Sequence, residues 1–178
     1  RLALGQMLAG FAVALFGIYA LMAIPLRSYL QPLFIMSAIP FGIVGAIVGH
    51  MLLDIPISSI SIFGFIALSG VVVNDSLIMV DFVNKAVARG TSPTDAAIES
   101  GAARFRAILL TSLTTFFGLV PIVSETSLQA QIVIPMATSL AFGILFATFI
   151  TLVLIPALYL VTDDVKAMVW RWVSPRPA

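Results

Sequence analysis

The chain contains no cysteine, which excludes disulfides and thiolate metal sites and leaves the redox compartment unread. Charge is scarce as well. Asp, Glu, Lys and Arg together make up 10% of the 178 residues, against roughly a quarter in soluble domains. There is one histidine, His50, and no His, Asp or Glu cluster has the spacing of a metal site. Nucleophile–base arrangements and glycine-rich phosphate loops are also missing, so no catalytic residue and no enzyme activity is expected. The net charge of +1 offers no attraction for nucleic acid. Low-complexity runs and internal repeats do not occur. What remains is apolar: 61% of residues are hydrophobic and the mean hydropathy is +1.14. A soluble core of this size could not hide so much apolar surface, whereas a bilayer removes the need to hide it.

A transmembrane helix needs about 20 largely apolar residues, and five such runs are expected, at about 2–24, 33–53, 60–83, 107–123 and 132–161. The first is too long for a signal peptide and lacks its cleavage pattern. Between the third and fourth, Ser92-Pro93-Thr94-Asp95 reads as an N-cap, a proline at the first position and an acid at the third. That predicts a short cytoplasmic linker helix over about 93–103. The fold expected is all-α: a membrane bundle of five transmembrane helices over 1–162, this short amphipathic helix, and a cytoplasmic tail over 163–178.

Five spans leave six flanking segments on alternating sides. Arg27, Lys85, Arg89, Arg104, Arg106, Lys166, Arg171 and Arg176 all fall on one side, leaving Arg1 on the other. By the positive-inside rule the crowded side is cytoplasmic, which places the C-terminus inside. Trp170 and Trp172, beside Arg171, suit a helix lying at the inner interface. Arg1 stands where an initiator methionine would be. Together with an odd span count starting outside, this leads to the expectation of a preceding segment, the chain being an excised or truncated piece.

Small residues come next. Gly42, Gly45 and Gly49 lie on the second span, Gly64 and Gly70 on the third. Such residues let helix backbones approach, so these two spans are expected to pack inside the bundle. The sharper feature is Asn74-Asp75-Ser76. Asp75 sits about 15 residues into the third span, roughly 5 Å past the midplane at 1.5 Å per residue. A carboxylate at that depth costs several kcal/mol unless it is protonated, paired or facing water, which makes Asp75 a candidate for proton exchange and Asn74 its neighbour in that role. Asn74, Asp81 and Gly70 share one face, and Asp75 lies about 100° round. Asp81, near the span's end, reads as a solvated helix terminus. Arg104 and Thr111 are seven apart on one face, which could offer a cation and a hydroxyl to a buried carboxylate. His50 reads as an interfacial side chain.

The stretch Gly64–Phe82, containing Ser69-Gly70-Val71-Val72-Val73-Asn74-Asp75-Ser76, resembles the third-from-last span of permeases of the resistance–nodulation–division (RND) superfamily. Arg104-Phe105-Arg106-Ala107 with Thr111-Ser112 and Gly118-Leu119-Val120-Pro121 resembles the next span. Ile134-Pro135-Met136-Ala137, Phe142-Gly143 and Pro156-Ala157-Leu158-Tyr159 resemble the final one. The resemblance covers nearly the whole chain, as spans eight to twelve of twelve. It implies a multidrug-resistance type of efflux permease in the bacterial inner membrane, a homotrimer powered by proton antiport, with no cofactor beyond the proton-motive force. It further implies, as partners, the N-terminal half of the same permease, a periplasmic adaptor, an outer-membrane channel and the lipid bilayer.

In that family an acidic pair on the fourth span takes the proton, with a Lys on the tenth span and an Arg and a Thr on the eleventh. The last two match Arg104 and Thr111, while the Lys position falls on Asn74. Asn cannot supply a positive charge, so either Asp75 joins the relay with Arg104 as counter-charge or coupling differs. Ala107 replaces a Pro common after the second Arg. Two other readings stay open: a relative of the SecD/SecF secretion accessories, which carry a similar Asn-Asp-Ser/Thr stretch, and a non-transporting membrane fragment.

Overall fold

The computed structural model describes residues 2–173, with side chains described for 5–165 and for Met168. The expectations for Arg1, Lys166, Trp170, Arg171, Trp172 and Arg176 lie outside the described side chains. Six helices follow in order: α1 Leu2–Leu26, α2 Gln31–Met36, α3 Ile39–Leu52, α4 Ser59–Ala88, α5 Pro93–Val123 and α6 Leu128–Val173. No strand forms among the described residues, and five helical stretches are long and apolar enough to cross a membrane, α2 and α3 together making one of them.

Three boundaries differ from the sequence expectation for physical reasons. The second span is broken at Ser37-Ala38. Pro40 has no N–H to return to the Met36 carbonyl, and the Ser37 hydroxyl instead donates to the Phe34 carbonyl at 2.7 Å. Residues 93–103 do not form a separate linker helix but run unbroken into the fourth span as α5. Ala102, Ala103 and Ala107 favour helix, and Gly101 alone costs about 1 kcal/mol, too little to stop it. Finally, α6 continues to Val173, so the final span and the first part of the expected cytoplasmic tail, 163–173, form one continuous helix.

The turns follow from local chemistry. At the end of α4, Thr91 N–H donates to the Ala86 carbonyl at 3.2 Å and Gly90 N–H to that of Val87 at 2.9 Å. This pair of bonds requires a left-handed residue at position 90, and Gly90 supplies it with φ +96°. Ser92 then caps α5: its Oγ accepts from Asp95 N–H at 3.1 Å and donates to the Asp95 carboxylate at 2.7 Å. Pro93 stands in the first turn, where a missing N–H costs little. At the start of α4, Ser58 Oγ accepts from Ile60 N–H, while Ser61 Oγ accepts from Ser58 N–H.

Helix α6 is the hub: α3, α4 and α5 each pack principally on it, and α1 rests only lightly on α2 and α4. On α6 the buried residues are Ala137, Thr138, Ser139, Ala141, Gly143, Ile144, Ala147, Thr148, Thr151 and Ile155, a broad face at helical spacing, as suits the helix on which three others pack. On α4 the buried seam includes Ser61, Leu68, Val72, Asp75, Met79, Val83 and Ala86. Close approach is bought with glycine. A Cβ on Gly45 would lie 2.2 Å from Phe146 Cβ, one on Gly49 2.4 Å from Phe142 Cβ, and one on Gly64 2.6 Å from the Met136 carbonyl oxygen. Gly42 sits against Leu68, whereas a Cβ on Gly70 would meet nothing.

Candidate functional site

Asp75 lies on the buried seam of α4, 8% exposed. It lines a narrow internal space with Val71 and Val72 of α4, Ile108 of α5, and Ile144, Ala147, Thr148 and Thr151 of α6. The open part of that space is ≈ 10 Å³, about what a single water needs. The 3.5-residue repeat puts the carboxylate there: Leu68, Val72, Asp75 and Met79 occupy successive seam positions, and the acid takes the place of an apolar residue. Among the described residues the one ion pair is Lys85–Asp81, at 2.6 Å and exposed, so Asp75 has no cation beside it. That exposed pair is worth at most about 1 kcal/mol.

The hydroxyls around the space form a small network. Thr148 Oγ1 donates to the Ile144 carbonyl at 2.8 Å, and Thr151 Oγ1 donates to that of Ala147. Since Thr148 has spent its one proton, its contact with Ser112 of α5 has Ser112 Oγ as the donor. Ser112, Thr148 and Thr151 are all buried.

The other residues singled out from the sequence fall elsewhere. Asn74 is exposed and points away from this space. With Phe63, Ala67, Gly70 and Ile78 it forms an exposed stripe on α4. Thr111 is exposed too, its hydroxyl donating to the Ala107 carbonyl at 2.9 Å, in line with exposed Ala107, Thr114, Gly118 and Pro121 on α5. Arg104 is not paired with Asp75 in this structure. Its guanidinium lies over the Phe82 ring, 5.3 Å from the centroid. Phe82 is seven residues along α4 from Asp75, about 10 Å at 1.5 Å per residue, and the side chain's reach is spent on the ring. Arg104 Nε is buried without a hydrogen-bond partner.

His50 is not interfacial: it is 2% exposed, with Nδ1 2.9 Å from the Ile55 carbonyl and Nε2 2.9 Å from Ser139 Oγ. It ties the end of α3 to α6, because Ile55 in the following loop and Ser139 on α6 lie on opposite sides of the ring. At the other end of the bundle, Gln31 and Asn84 exchange amide hydrogen bonds at 2.9 and 3.0 Å, and Tyr159 OH donates to Asn84 Oδ1 at 3.0 Å. Sequence reasoning passed over Thr148 and Thr151. Their three-residue spacing puts the two threonines on one face, but in a helix apolar at nearly every position nothing in residue order marks that face as the buried one.

A family profile described as the AcrB/AcrD/AcrF family matches residues 1–163. The chain is 34% identical over 154 residues to multidrug resistance protein MdtC of Pantoea ananatis, covering 86% of this chain and 15% of that protein. It is 35% identical over 123 residues to the nickel-cobalt-cadmium resistance protein NccA of Alcaligenes xylosoxydans xylosoxydans, covering 69% of this chain and 11% of that protein. Among solved structures, a heavy metal efflux pump matches with a TM-score of 0.76 at 30% identity, covering 85% of this chain and 15% of that one. A second crystal form scores 0.73 at 32% identity. The chain thus spans about 15% of the length of the curated relatives it matches.

Proposed function

The chain belongs to the AcrB/AcrD/AcrF family of RND permeases, and from that premise we propose that it serves proton-driven export of small solutes, with Asp75 as a proton-carrying group. The observation that carries this reading is the burial of Asp75 in the middle of an apolar helix, beside a water-sized space and unpaired with any cation among the described residues. Free carboxylates are costly at such a depth and persist where charge must change. Protonation removes that cost and deprotonation restores it, so proton occupancy is worth several kcal/mol to the packing of α4 on α6. A difference of that size is what a two-state transporter needs to bias its conformations.

The exposed stripes on α4 and α5 fit the same reading. Between the bulky apolar Phe63 and Ile78, the α4 stripe carries Ala67, Gly70 and Asn74, and the α5 stripe carries Ala107, Thr111, Thr114 and Gly118, all small or polar. Small and hydroxyl-bearing residues favour helix–helix contact in membranes. They leave room for further spans of the permease, and Asn74 and Thr111 would present an amide and a hydroxyl to them. The distribution of Lys and Arg supports an orientation with the basic ends of the helices cytoplasmic, and the family relationship supports a bacterial inner-membrane location. Assembly as a homotrimer with a periplasmic adaptor and an outer-membrane channel is the arrangement the family implies.

The test is Asp75→Asn in the full-length polypeptide, expressed to wild-type level. Loss of resistance or export in cells carrying the variant is the expected result. Export at the wild-type rate would show that Asp75 carries no proton in transport and serves packing alone.

A further inference from the structure

Around Asp75 the hydrogen-bond accounts do not balance for an empty, ionised site. An ionised carboxylate only accepts. Thr151 Oγ1 has given its proton to the Ala147 carbonyl and keeps two lone pairs. Thr148 Oγ1 has given its proton to Ile144 and accepts from Ser112, keeping one. Every other lining residue, Val71, Val72, Ile108, Ile144 and Ala147, is apolar. The polar side chains that line the space therefore have only acceptor capacity left, and the backbone bonds fix the threonine rotamers. Such a site is complementary to one species with donors or positive charge and to nothing neutral and acceptor-rich.

The charged groups nearby do not meet that demand. On α5, Arg104 is over Phe82, about 10 Å along the bundle. On α4 itself, Asp81 and Lys85 pair with each other at the exposed end. Neither α3 nor α6 contributes a charged residue to the lining.

We infer that the space between Asp75 and α6 binds one monovalent positive charge, a proton on the Asp75 carboxyl or a sodium ion, with Thr148 and Thr151 as its oxygen partners. This deepens the proton-coupling reading and rests on it. Its new content is the identity of the element that senses occupancy. A protonated carboxyl donates to a threonine lone pair, directly or through one water, so the charge fastens α4 to α6. When the proton leaves, that bond is lost and the space is lined by two carboxylate and two threonine oxygens that can only accept. Thr148 and Thr151 are positioning residues, and Ser112, by occupying one lone pair of Thr148, links α5 to the same site.

The experiment uses the full-length protein in proteoliposomes. Asp75 is treated with dicyclohexylcarbodiimide, which reacts with protonated carboxyls in apolar surroundings, and the adduct is quantified by mass spectrometry across pH, in sodium or choline chloride. Thr151→Val and Thr148→Val keep side-chain shape and remove the acceptor. Each is expected to displace the half-labelling point to lower pH by about one unit, the tenfold that one hydrogen bond is worth. Thr151→Ser, which retains the hydroxyl, should restore the wild-type curve. Thr114→Val, whose exposed hydroxyl bonds only its own helix, should leave it unmoved.

Superimposable curves for wild type and both valine variants would overturn the inference. If Asp75→Asn still abolished export, the proton-coupling reading would survive that result. Sodium protection of Asp75 at constant pH, abolished by Thr151→Val, would support the site with sodium as its occupant and overturn the proton. Absence of labelling at any pH, with no sodium effect, would overturn both.

Discussion

Replacing Gly45 by alanine is the sharpest probe of the packing that holds Asp75 in place. Gly45 faces α6, and the added methyl would lie 2.2 Å from Phe146 Cβ, where carbon atoms normally rest 3.5–4.0 Å apart. The shortfall is about 1.5 Å, and the obstructing atom is a Cβ, fixed to its backbone and unable to swing aside. Helices α3 and α6 must therefore separate. Overpacking of this kind costs about 1–3 kcal/mol, here toward the upper end because the whole interface shifts. Against it stands the gain of up to about 1 kcal/mol from removing a helical glycine. The net expectation is destabilisation by about 2 kcal/mol.

Residues 1–178 hold no cysteine, so in a polypeptide freed of any cysteine elsewhere a dye pair can be placed at exposed Met51 and Leu128. The loss of energy transfer during SDS titration in mixed micelles then reports unfolding. Gly70→Ala is the control, since its methyl meets nothing within 4 Å, and it should range from neutral to about 1 kcal/mol stabilising. Wild-type stability in Gly45→Ala, or equal losses in both variants, would refute the close α3–α6 contact.

Other changes have expected outcomes of their own. Tyr159→Phe should cost about 1 kcal/mol in the same titration, the worth of one hydrogen bond to Asn84. Asn84→Leu should cost about 1–3 kcal/mol by orphaning the Gln31 amide. The pair Gln31→Leu/Asn84→Leu should then cost less than the sum of its singles, because no amide is left unpaired; strict additivity would show that the two do not act together. His50→Phe should lose about 1–3 kcal/mol by breaking the contacts to Ile55 and Ser139, measured by thermal unfolding; an unchanged transition would place His50 outside the packed core. Ser92→Ala should speed amide hydrogen exchange in the first turn of α5 by about fivefold, the cap being worth about 1 kcal/mol.

Much of this architecture is legible in residue order alone. Long apolar runs give the spans, and the seven-residue spacing of Asn74 and Asp81 separates their face from that of Asp75, which the structure turns inward. The Ser92 cap and Pro93 mark where α5 begins. What the sequence hides is partnership. On α6 nearly every position is apolar, so a face of small residues and threonines leaves no amphipathic contrast to detect. Arg104 and Thr111 share a face on paper, yet neighbours decide: Phe82 captures the guanidinium, and Thr111 bonds its own backbone. The continuity of α5 was missed because a polar stretch marks the end of a membrane span and not the end of a helix. His50 was misplaced for the reverse reason, since depth in a span does not say whether a side chain faces lipid or another helix.

The central claim is that export by the permease containing this chain moves protons through Asp75. Proteoliposomes holding the full-length protein and a pH-sensitive dye inside test it directly, with wild type and Asp75→Asn compared under an imposed proton gradient. Proton movement that depends on Asp75 and disappears in the asparagine variant is the predicted result; equal proton movement in both would contradict it.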